Sequence, residues 1–116
     1  MSKKVQFDNI EDAINDIANG RMVIVLDDED RENEGDLVMA AQFATPEAIN
    51  FMIKNAKGLV CLPATNEILD KFDLKQMVKN NNEKLSTAFT VSIDASQKHG
   101  ITTGISAGER AKTIQI

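Results

Sequence analysis

Apolar residues recur along this chain with two different periods, one helical and one extended. Between Ile10 and Ala18 they return every three or four positions, which is typical of an amphipathic helix. Asp8 and Glu11 form a capping-box pattern at the start of this segment, and Gly20 is a natural stop after it. The pattern therefore predicts a first helix that is capped by Asp8.

Two extended segments follow the first helix. Met22–Leu26 is a continuous apolar run rich in β-branched residues, which predicts a buried strand. Leu37–Ala41 is predicted as a second short strand. A strongly charged segment separates the two, so the pattern places that segment in a loop between strands.

A second helix is predicted directly after Thr45. Thr45 can cap it, Pro46 suits the first helical position, and Glu47 places an acid in the first turn. Apolar residues at helical spacing continue to Ala56, and Gly58 ends the segment.

The rest of the chain alternates between shorter elements. Strands are predicted at Leu59–Leu62 and Ala88–Asp94. A short helix is predicted from Asn66 to Phe72, and Ser106 with Glu109 opens a last helix. This alternation predicts an α/β (α+β) fold with a mixed sheet and flanking helices. The 116 residues fit a single domain, residues 1–116. The chain reaches Ile116 inside the last predicted helix without a glycine or proline stop, so we expect an incomplete domain.

Composition narrows the classes of function. The net charge is −5 and the lysines are scattered without aromatic residues among them, which argues against nucleic acid as a partner. No apolar run approaches the length of a membrane span, and Met1–Asp8 lacks the apolar core of a signal peptide. A single cysteine cannot form an internal disulfide. Together these features predict a cytoplasmic protein with a free thiol.

The acidity of the chain is concentrated in the acidic loop, Asp27–Asp36, which reads DDEDRENEGD. Seven of its ten residues are acids and one is Arg31, so the acidic loop carries a net charge of −6. Like charges this close repel one another unless a cation offsets them. A solvated loop is the ordinary interpretation of such a run. Its position between two apolar segments and its central arginine favour a site, and Gly35 indicates a special backbone turn.

Carboxylates occur at alternating positions of the acidic loop: Asp30, Glu32, Glu34 and Asp36. Their oxygen atoms are suitable ligands for Mg²⁺, Mn²⁺ or Ca²⁺. A calcium EF-hand explains them poorly, because position 12 of such a loop would fall on Ala41 instead of a glutamate. Arg31 beside the carboxylates suits an anionic substrate, such as a phosphate or an enolate.

Two further features carry weaker chemical signals. Cys61, at the end of a predicted strand, is either a small buried apolar side chain or a thiol that lines a site. The segment Gly100–Gly104, followed by Ser106 at a helix start, combines hydroxyl groups, glycine-permitted backbone and helix N–H groups. That combination suits a phosphate, and a plain helix-entry turn fits it equally well.

Four segments together resemble one family, 3,4-dihydroxy-2-butanone 4-phosphate synthase of riboflavin biosynthesis. They are VIVLDDEDRENEGDLVMAA (Val23–Ala41), GLVCLP (Gly58–Pro63), STAFTVSID (Ser86–Asp94) and GITTGISAGERAKTI (Gly100–Ile114), in the order and spacing of the family. The resemblance covers essentially the whole chain, and DRENEGD after an apolar strand is highly specific.

The resemblance implies a lyase that converts D-ribulose 5-phosphate to 3,4-dihydroxy-2-butanone 4-phosphate and formate through enediolates. It also implies Mg²⁺ or Mn²⁺ as cofactor and a homodimer with sites at the subunit interface. The implied substrate-binding residues are Arg31, Glu32, Asp36 and Thr103, with Glu32 also a metal ligand, and the implied catalytic residues are Glu34, Cys61 and Asp30. An acid near the metal would move protons, and Asp28, Asp30 and Glu34 all stay open for that role.

The resemblance further implies that part of the family's site lies outside this chain. The family carries an Arg-x-Gly-His-Thr-like motif, whose histidine is the other metal ligand, in a second half that does not occur here. His99 lies outside that motif. We therefore expect residues 1–116 to be the N-terminal part of such a domain and to be inactive alone. The alternative is a non-catalytic fragment that acts as an acidic divalent-metal-binding or dimerisation module.

Overall fold

Helix α1 spans Ile10–Ala18 and opens the fold. The computed structural model describes residues 4–116, so the first three residues of the N-terminal segment lie outside it. The N-cap of α1 is Asn9, whose side-chain oxygen accepts a hydrogen bond from the Glu11 N–H at 2.8 Å. The helix is confirmed, and the predicted cap at Asp8 is wrong by one residue, because both side chains can cap and Asn9 adjoins the first helical turn.

Strands β1 (Val23–Leu26) and β2 (Gly35–Val38) form an antiparallel hairpin, with Leu26 opposite Gly35. β2 begins before the predicted segment Leu37–Ala41, because pairing with β1 sets its register, and Ala41–Phe43 forms a short 3-10 helix instead. The first strand is confirmed in position and wrong in burial, since Ile24 is 69% exposed.

Helices α2 (Pro46–Asn55) and α4 (Ala107–Gln115) pack against each other and enclose the buried core. Both predicted caps are confirmed: the Thr45 hydroxyl accepts the Ala48 N–H at 3.1 Å, and the Ser106 hydroxyl accepts the Glu109 N–H at 3.1 Å. The core between the helices consists of Ala44, Ile49 and Ala111, with partly buried apolar side chains around it.

The side chain of Gln115 ties the end of α4 to the backbone that precedes α2. Its Nε2 donates to the carbonyl oxygens of Ala41, Gln42 and Ala44 at 3.0, 3.2 and 3.0 Å. These residues form the 3-10 helix and its cap, so the contact fixes the route of the chain from β2 into α2.

Two predicted strands are wrong. Leu59–Leu62 forms no strand, and Ala88–Asp94 contributes only one isolated bridge, between Gln76 and Thr90. A segment with high β-propensity becomes a strand only when a neighbouring backbone can complete its hydrogen bonds. Helix α3 spans Asn66–Lys71, with Thr65 at its N-cap position in place of Asn66.

The chain is a mixed α/β structure, which confirms the predicted fold class, and the sheet of its described residues consists of β1 and β2. The radius of gyration is 16.3 Å, whereas a compact chain of about 100 residues has about 13 Å. Large apolar side chains on α1 and β1 are correspondingly exposed. Exposed apolar surface on this scale is typical of interaction faces. Within residues 4–116, no helix is both long and apolar enough to cross a membrane.

Ile49 is the side chain on which the packing of α2 against α4 depends most, because it is 1% exposed. We expect Ile49→Ala to lower the free energy of unfolding by about 2–5 kcal/mol, through lost burial and the cavity left behind. Urea denaturation followed by circular dichroism measures the change. Leu59→Ala is the control, because Leu59 is 84% exposed, and its effect should stay within about 0.5 kcal/mol. Equal losses in both variants would contradict this placement of the core.

Candidate functional site

The acidic loop is held together by the carboxylate of Asp27, which stands directly after β1 and is half-buried. Its Oδ1 accepts the Glu34 N–H at 3.0 Å, and its Oδ2 accepts the Glu32 N–H at 3.0 Å. The same Oδ2 accepts Nη1 of Arg31 at 2.7 Å. One side chain therefore connects the start of the loop to its middle and its end.

Backbone hydrogen bonds complete the loop. The Asp27 N–H donates to the Glu34 carbonyl at 3.2 Å, and the Asp28 carbonyl accepts the N–H groups of Arg31 and Asn33 at 3.0 and 3.2 Å. The left-handed position is Asn33, with φ of 52°. The special turn predicted at Gly35 is therefore wrong in place.

Gly35 instead lies close to a side chain of the opposite strand. A Cβ at this position would lie 2.9 Å from Cδ2 of Leu26, its partner in the register. That approach is shorter than carbon atoms tolerate, so a larger residue at position 35 would displace the exposed side chain of Leu26, directly beneath the acidic loop.

The electrostatics of the acidic loop favour the ionised form of Asp27. Hydrogen bonds from the backbone N–H groups of Glu34 and Glu32, together with Arg31, lower the pKa of Asp27 to about 2. The same contact with Asp27, together with the charge of Glu32, raises the pKa of Arg31 above its ordinary value. Arg31 is 51% exposed, and its Nε and Nη2 make no hydrogen bond to the residues that the structure describes. These groups are free to bind an anion.

The structure separates the predicted site residues of the acidic loop. Glu32 has Oε2 3.2 Å from Nη1 of Arg31 and lines a groove of about 380 Å³. Asp36 lies in β2 and lines a second groove, between the hairpin and α2. Asp30 and Glu34 are exposed and line neither groove. Arg31 and Glu32 are thus brought together, whereas Asp36 faces a different surface.

The groove beside Glu32 has an apolar floor, formed by Met77, Val78 and Phe89. Its polar wall is formed by Asn81, Glu83 and Thr87. The wall is a loop folded around Glu83, whose Oε2 accepts the N–H groups of Leu85 and Thr87 at 3.0 and 3.2 Å. These hydrogen bonds lower the pKa of Glu83, and the nearby charge of Arg31 adds to the effect. The two loops therefore face each other across the groove.

Sequence reasoning missed this second wall. The only local signal is the polar tract Asn80–Asn82 followed by Glu83, a composition that is common in any surface loop. An Asx contact supports the fold of this loop, since the Asn81 side-chain oxygen accepts the Glu83 N–H at 3.1 Å. The loop around Glu83 lies near the acidic loop because of tertiary contacts, which the local sequence of the polar tract does not specify.

The two other predicted site residues lie elsewhere on the surface. Cys61 is exposed, so the buried alternative for this thiol is wrong, and it lines neither groove. Thr103 is exposed in the turn before α4. In that turn the N–H groups of Thr102 and Gly104 already donate to the carboxylate of Glu109, so part of the predicted phosphate-binding backbone is occupied.

The carboxylates of the described residues can bind a divalent cation only through one or two of their side chains at a time. Among residues 4–116 no three His, Cys, Asp or Glu side chains converge closely enough to hold a metal ion. Mg²⁺ is usually held by one or two protein carboxylates, with waters and substrate oxygens completing its octahedron. Glu32 fits that mode of binding, and an all-protein cage is not built here.

Comparison with known proteins identifies relatives along nearly the whole chain. The family model of 3,4-dihydroxy-2-butanone 4-phosphate synthase matches residues 11–116. The 3,4-dihydroxy-2-butanone 4-phosphate synthase of Neisseria meningitidis serogroup B is 61% identical over 106 residues, which are 91% of this chain and 29% of that protein. The riboflavin biosynthesis protein RibBA of Synechocystis is 58% identical over 110 residues, which are 95% of this chain and 20% of that protein.

Solved structures agree with these sequence matches. A crystal structure of 3,4-dihydroxy-2-butanone 4-phosphate synthase in complex with two magnesium ions is 47% identical, with a TM-score of 0.88 over 94% of this chain and 50% of that one. The two-domain synthase RibBX of A. baumannii is 55% identical, with a TM-score of 0.82 over 93% of this chain and 31% of that one. The chain thus spans half or less of the length of each of these relatives.

We expect Asp27→Asn to loosen the acidic loop, because an amide carries no charge and keeps only one of the two accepting oxygens. Hydrogen exchange of the Glu32 and Glu34 amides should become faster by roughly tenfold. Asp28→Asn is the matched control, since its carboxylate makes no hydrogen bond or ion pair to residues 4–116. Equal exchange rates in wild type and Asp27→Asn would show that the carboxylate does not hold the loop.

The order of the acidic loop should also depend on pH. The pKa of Asp27 falls from 3.8 to about 2 on folding, so the ionised carboxylate stabilises the loop fully above about pH 3.8. This contribution should disappear as pH falls through about 2. Carbon-detected NMR of the Asp27 carboxylate, together with exchange of the Glu34 amide, measures both quantities. The Asp27→Asn variant should lack the transition, and a carboxylate that titrates near 3.8 in the wild type would refute the assignment.

Proposed function

The chain belongs to the 3,4-dihydroxy-2-butanone 4-phosphate synthase family, and on that premise we propose that it supplies the acidic loop of a riboflavin-biosynthesis lyase. The reaction converts D-ribulose 5-phosphate to 3,4-dihydroxy-2-butanone 4-phosphate and formate. One observation carries the proposal: the Asp27 carboxylate holds the acidic loop, which presents Glu32 beside a partly free Arg31 at the edge of a groove. A carboxylate next to a guanidinium suits a cation and an anionic sugar phosphate together.

Glu32 is the proposed ligand of Mg²⁺ or Mn²⁺. A bound divalent cation stabilises negative charge that develops on substrate oxygens. Support for this role comes from the position of Glu32, which lines the groove and shares Arg31 with Asp27. The backbone of Glu32 is fixed by the Asp27 carboxylate, so its side chain starts from a defined position.

Arg31 and Asp36 are the proposed contacts of the sugar phosphate, and Thr103 is a further proposed phosphate contact. The free N–H groups of Arg31 can donate to phosphate or hydroxyl oxygens. Glu34 and Asp30 are exposed acids in the same loop, and either can accept or donate a proton when substrate is bound. Cys61, which lines neither groove of the described residues, completes the proposed catalytic set by resemblance to the family alone.

The proposal places residues 1–116 in the N-terminal part of the synthase domain and makes the enzyme a cytoplasmic homodimer. Apolar side chains exposed on α1 and β1 support self-association. The chain alone is proposed to be inactive. One finding supports this: Glu32 and Asp36, which are both proposed contacts of one substrate, line different grooves.

A non-catalytic acidic module is the second candidate function, in which the chain binds divalent metal or dimerises without chemistry. The exposed carboxylates of Asp28, Glu29 and Asp30 favour it, because they need no substrate to attract a cation. A Mn²⁺ titration with and without ribulose 5-phosphate separates the two candidates. An affinity for Mn²⁺ that rises when ribulose 5-phosphate is added supports the lyase. An affinity for Mn²⁺ that is unchanged by ribulose 5-phosphate supports the module.

A chimera tests the lyase proposal directly. In this chimera, residues 11–116 of this chain replace the matching segment of the Neisseria relative. We expect the chimera to keep the release of formate from ribulose 5-phosphate. Glu32→Gln in the chimera should lower kcat/KM by roughly 100-fold or more, because a charged ligand is lost at the reacting centre. Glu29→Gln is the matched control in the same loop and should leave the rate within about twofold. A folded chimera without activity would contradict the proposed function, as would a fully active Glu32→Gln variant.

A further inference from the structure

The turn before α4 is held by a single carboxylate that the proposed chemistry does not use. Oε1 of Glu109 accepts the Thr102 N–H and, at 2.7 Å, the Thr102 hydroxyl, while its Oε2 accepts the Gly104 N–H at 2.9 Å. Glu109 sits in the first turn of α4, which is itself capped by Ser106. Three donors of one short turn therefore converge on one side chain of the core helix.

A second contact closes the turn from the other side. Gly104 has φ of +76°, and a Cβ at this position would overlap the carboxylate of Asp94. The next residue, Ala95, donates its N–H to the Thr113 hydroxyl at 3.1 Å. Glu109 and Thr113 are four residues apart, so they lie on one face of α4. That face fixes both the turn and the segment that packs over it.

These contacts leave Thr103 as the residue of the turn whose backbone N–H and hydroxyl face solvent. Thr102 and Gly104 have their N–H groups occupied by Glu109, whereas the N–H and the hydroxyl of Thr103 make no hydrogen bond to residues 4–116. Thr103 is also exposed. The turn therefore offers one N–H and one hydroxyl outward, in a backbone conformation set from behind by Glu109.

We propose that Glu109 is a positioning residue that holds this turn in the conformation in which Thr103 meets the substrate phosphate. The inference rests on the proposed function, which makes Thr103 a phosphate contact. Glu109 itself does not touch substrate. Its part is to fix the backbone before binding, so that less conformational freedom is lost when the phosphate arrives.

The charge on Glu109 is compatible with this role. Hydrogen bonds from Thr102 hold the pKa of Glu109 below its ordinary value, so the group is ionised at neutral pH and its hydrogen bonds are charge-assisted. The positive charge of Lys112 also lowers this pKa. Nζ of Lys112 lies near Gly100, at the other end of the same turn, where it would be 3.3 Å from an added Cβ. A phosphate that approaches Thr103 therefore meets a turn with a cation at one end.

The first test measures the turn in the 116-residue chain. Glu109→Gln keeps the size of the side chain and removes its charge and one accepting oxygen. Amide exchange of Thr102 and Gly104 should become at least about tenfold faster. Glu47→Gln is the matched control, because Glu47 occupies the first turn of α2 and makes no side-chain hydrogen bond within residues 4–116. Unchanged exchange in Glu109→Gln would overturn the inference.

The second test separates positioning from a general loss of structure, in the chimera described above. Glu109→Gln should raise KM for ribulose 5-phosphate by about tenfold and leave kcat within about twofold, and Thr103→Ala should do the same. A lowered KM in Glu109→Gln would overturn the inference, because it would mean that Glu109 competes with phosphate for the same donors. A fall in kcat at unchanged KM would overturn it as well.

The two tests distinguish failure of this inference from failure of the proposed function. A folded parent chimera without activity contradicts the proposed function, and amide exchange in the 116-residue chain then decides whether Glu109 holds the turn. An active chimera in which Glu109→Gln changes neither KM nor exchange contradicts the inference alone. An active chimera in which Thr103→Ala leaves KM unchanged overturns the phosphate contact, and with it the role assigned to Glu109.

Discussion

Three loops of this chain keep their shape through the same interaction, a nearby carboxylate that accepts hydrogen bonds from two or three donors of the loop. Asp27 does this in the acidic loop, Glu83 in the opposite wall of the groove, and Glu109 in the turn before α4. Backbone N–H groups need partners, and the two four-residue strands supply few of them. The negative charge strengthens each hydrogen bond, and the pKa of all three acids is lowered as a result.

This interaction divides the acids of the chain into two kinds. Within the acidic loop Asp27 is committed to the backbone, while the other six acids are exposed. Arg31, the one base of the loop, is divided in the same way, because Nη1 is bound to Asp27 whereas Nε and Nη2 make no hydrogen bond to residues 4–116. The repulsion within a loop of net charge −6 is partly offset by hydrogen bonds to Asp27 and by the ion pairs of Arg31. The hydrogen bonds to Asp27 thus fix the backbone from which the exposed acids project.

The features that sequence reasoning predicted correctly are those that local chemistry decides. Thr45 and Ser106 cap their helices through contacts three residues along the chain. Ala88–Asp94 has the composition of a strand, but a strand also requires a partner, which no local pattern specifies. The acidic loop was identifiable from its charge, whereas the composition cannot show which of seven acids turns inward. Asp27 is distinguished only by its place at the end of β1, beside the donors of Glu32 and Glu34.

The hairpin that carries the acidic loop has a further use in protein engineering. Its shape depends on Asp27 and on the left-handed backbone at Asn33, and Gly35 leaves room for the Leu26 side chain on the opposite strand. A combinatorial library that keeps these three positions can randomise Asp28, Glu29 and Asp30 while the main chain stays in place. Selection from such a library would act on side-chain chemistry alone. The loop is thus a candidate scaffold for directed evolution of new ion preferences, independent of the reaction that its parent family performs.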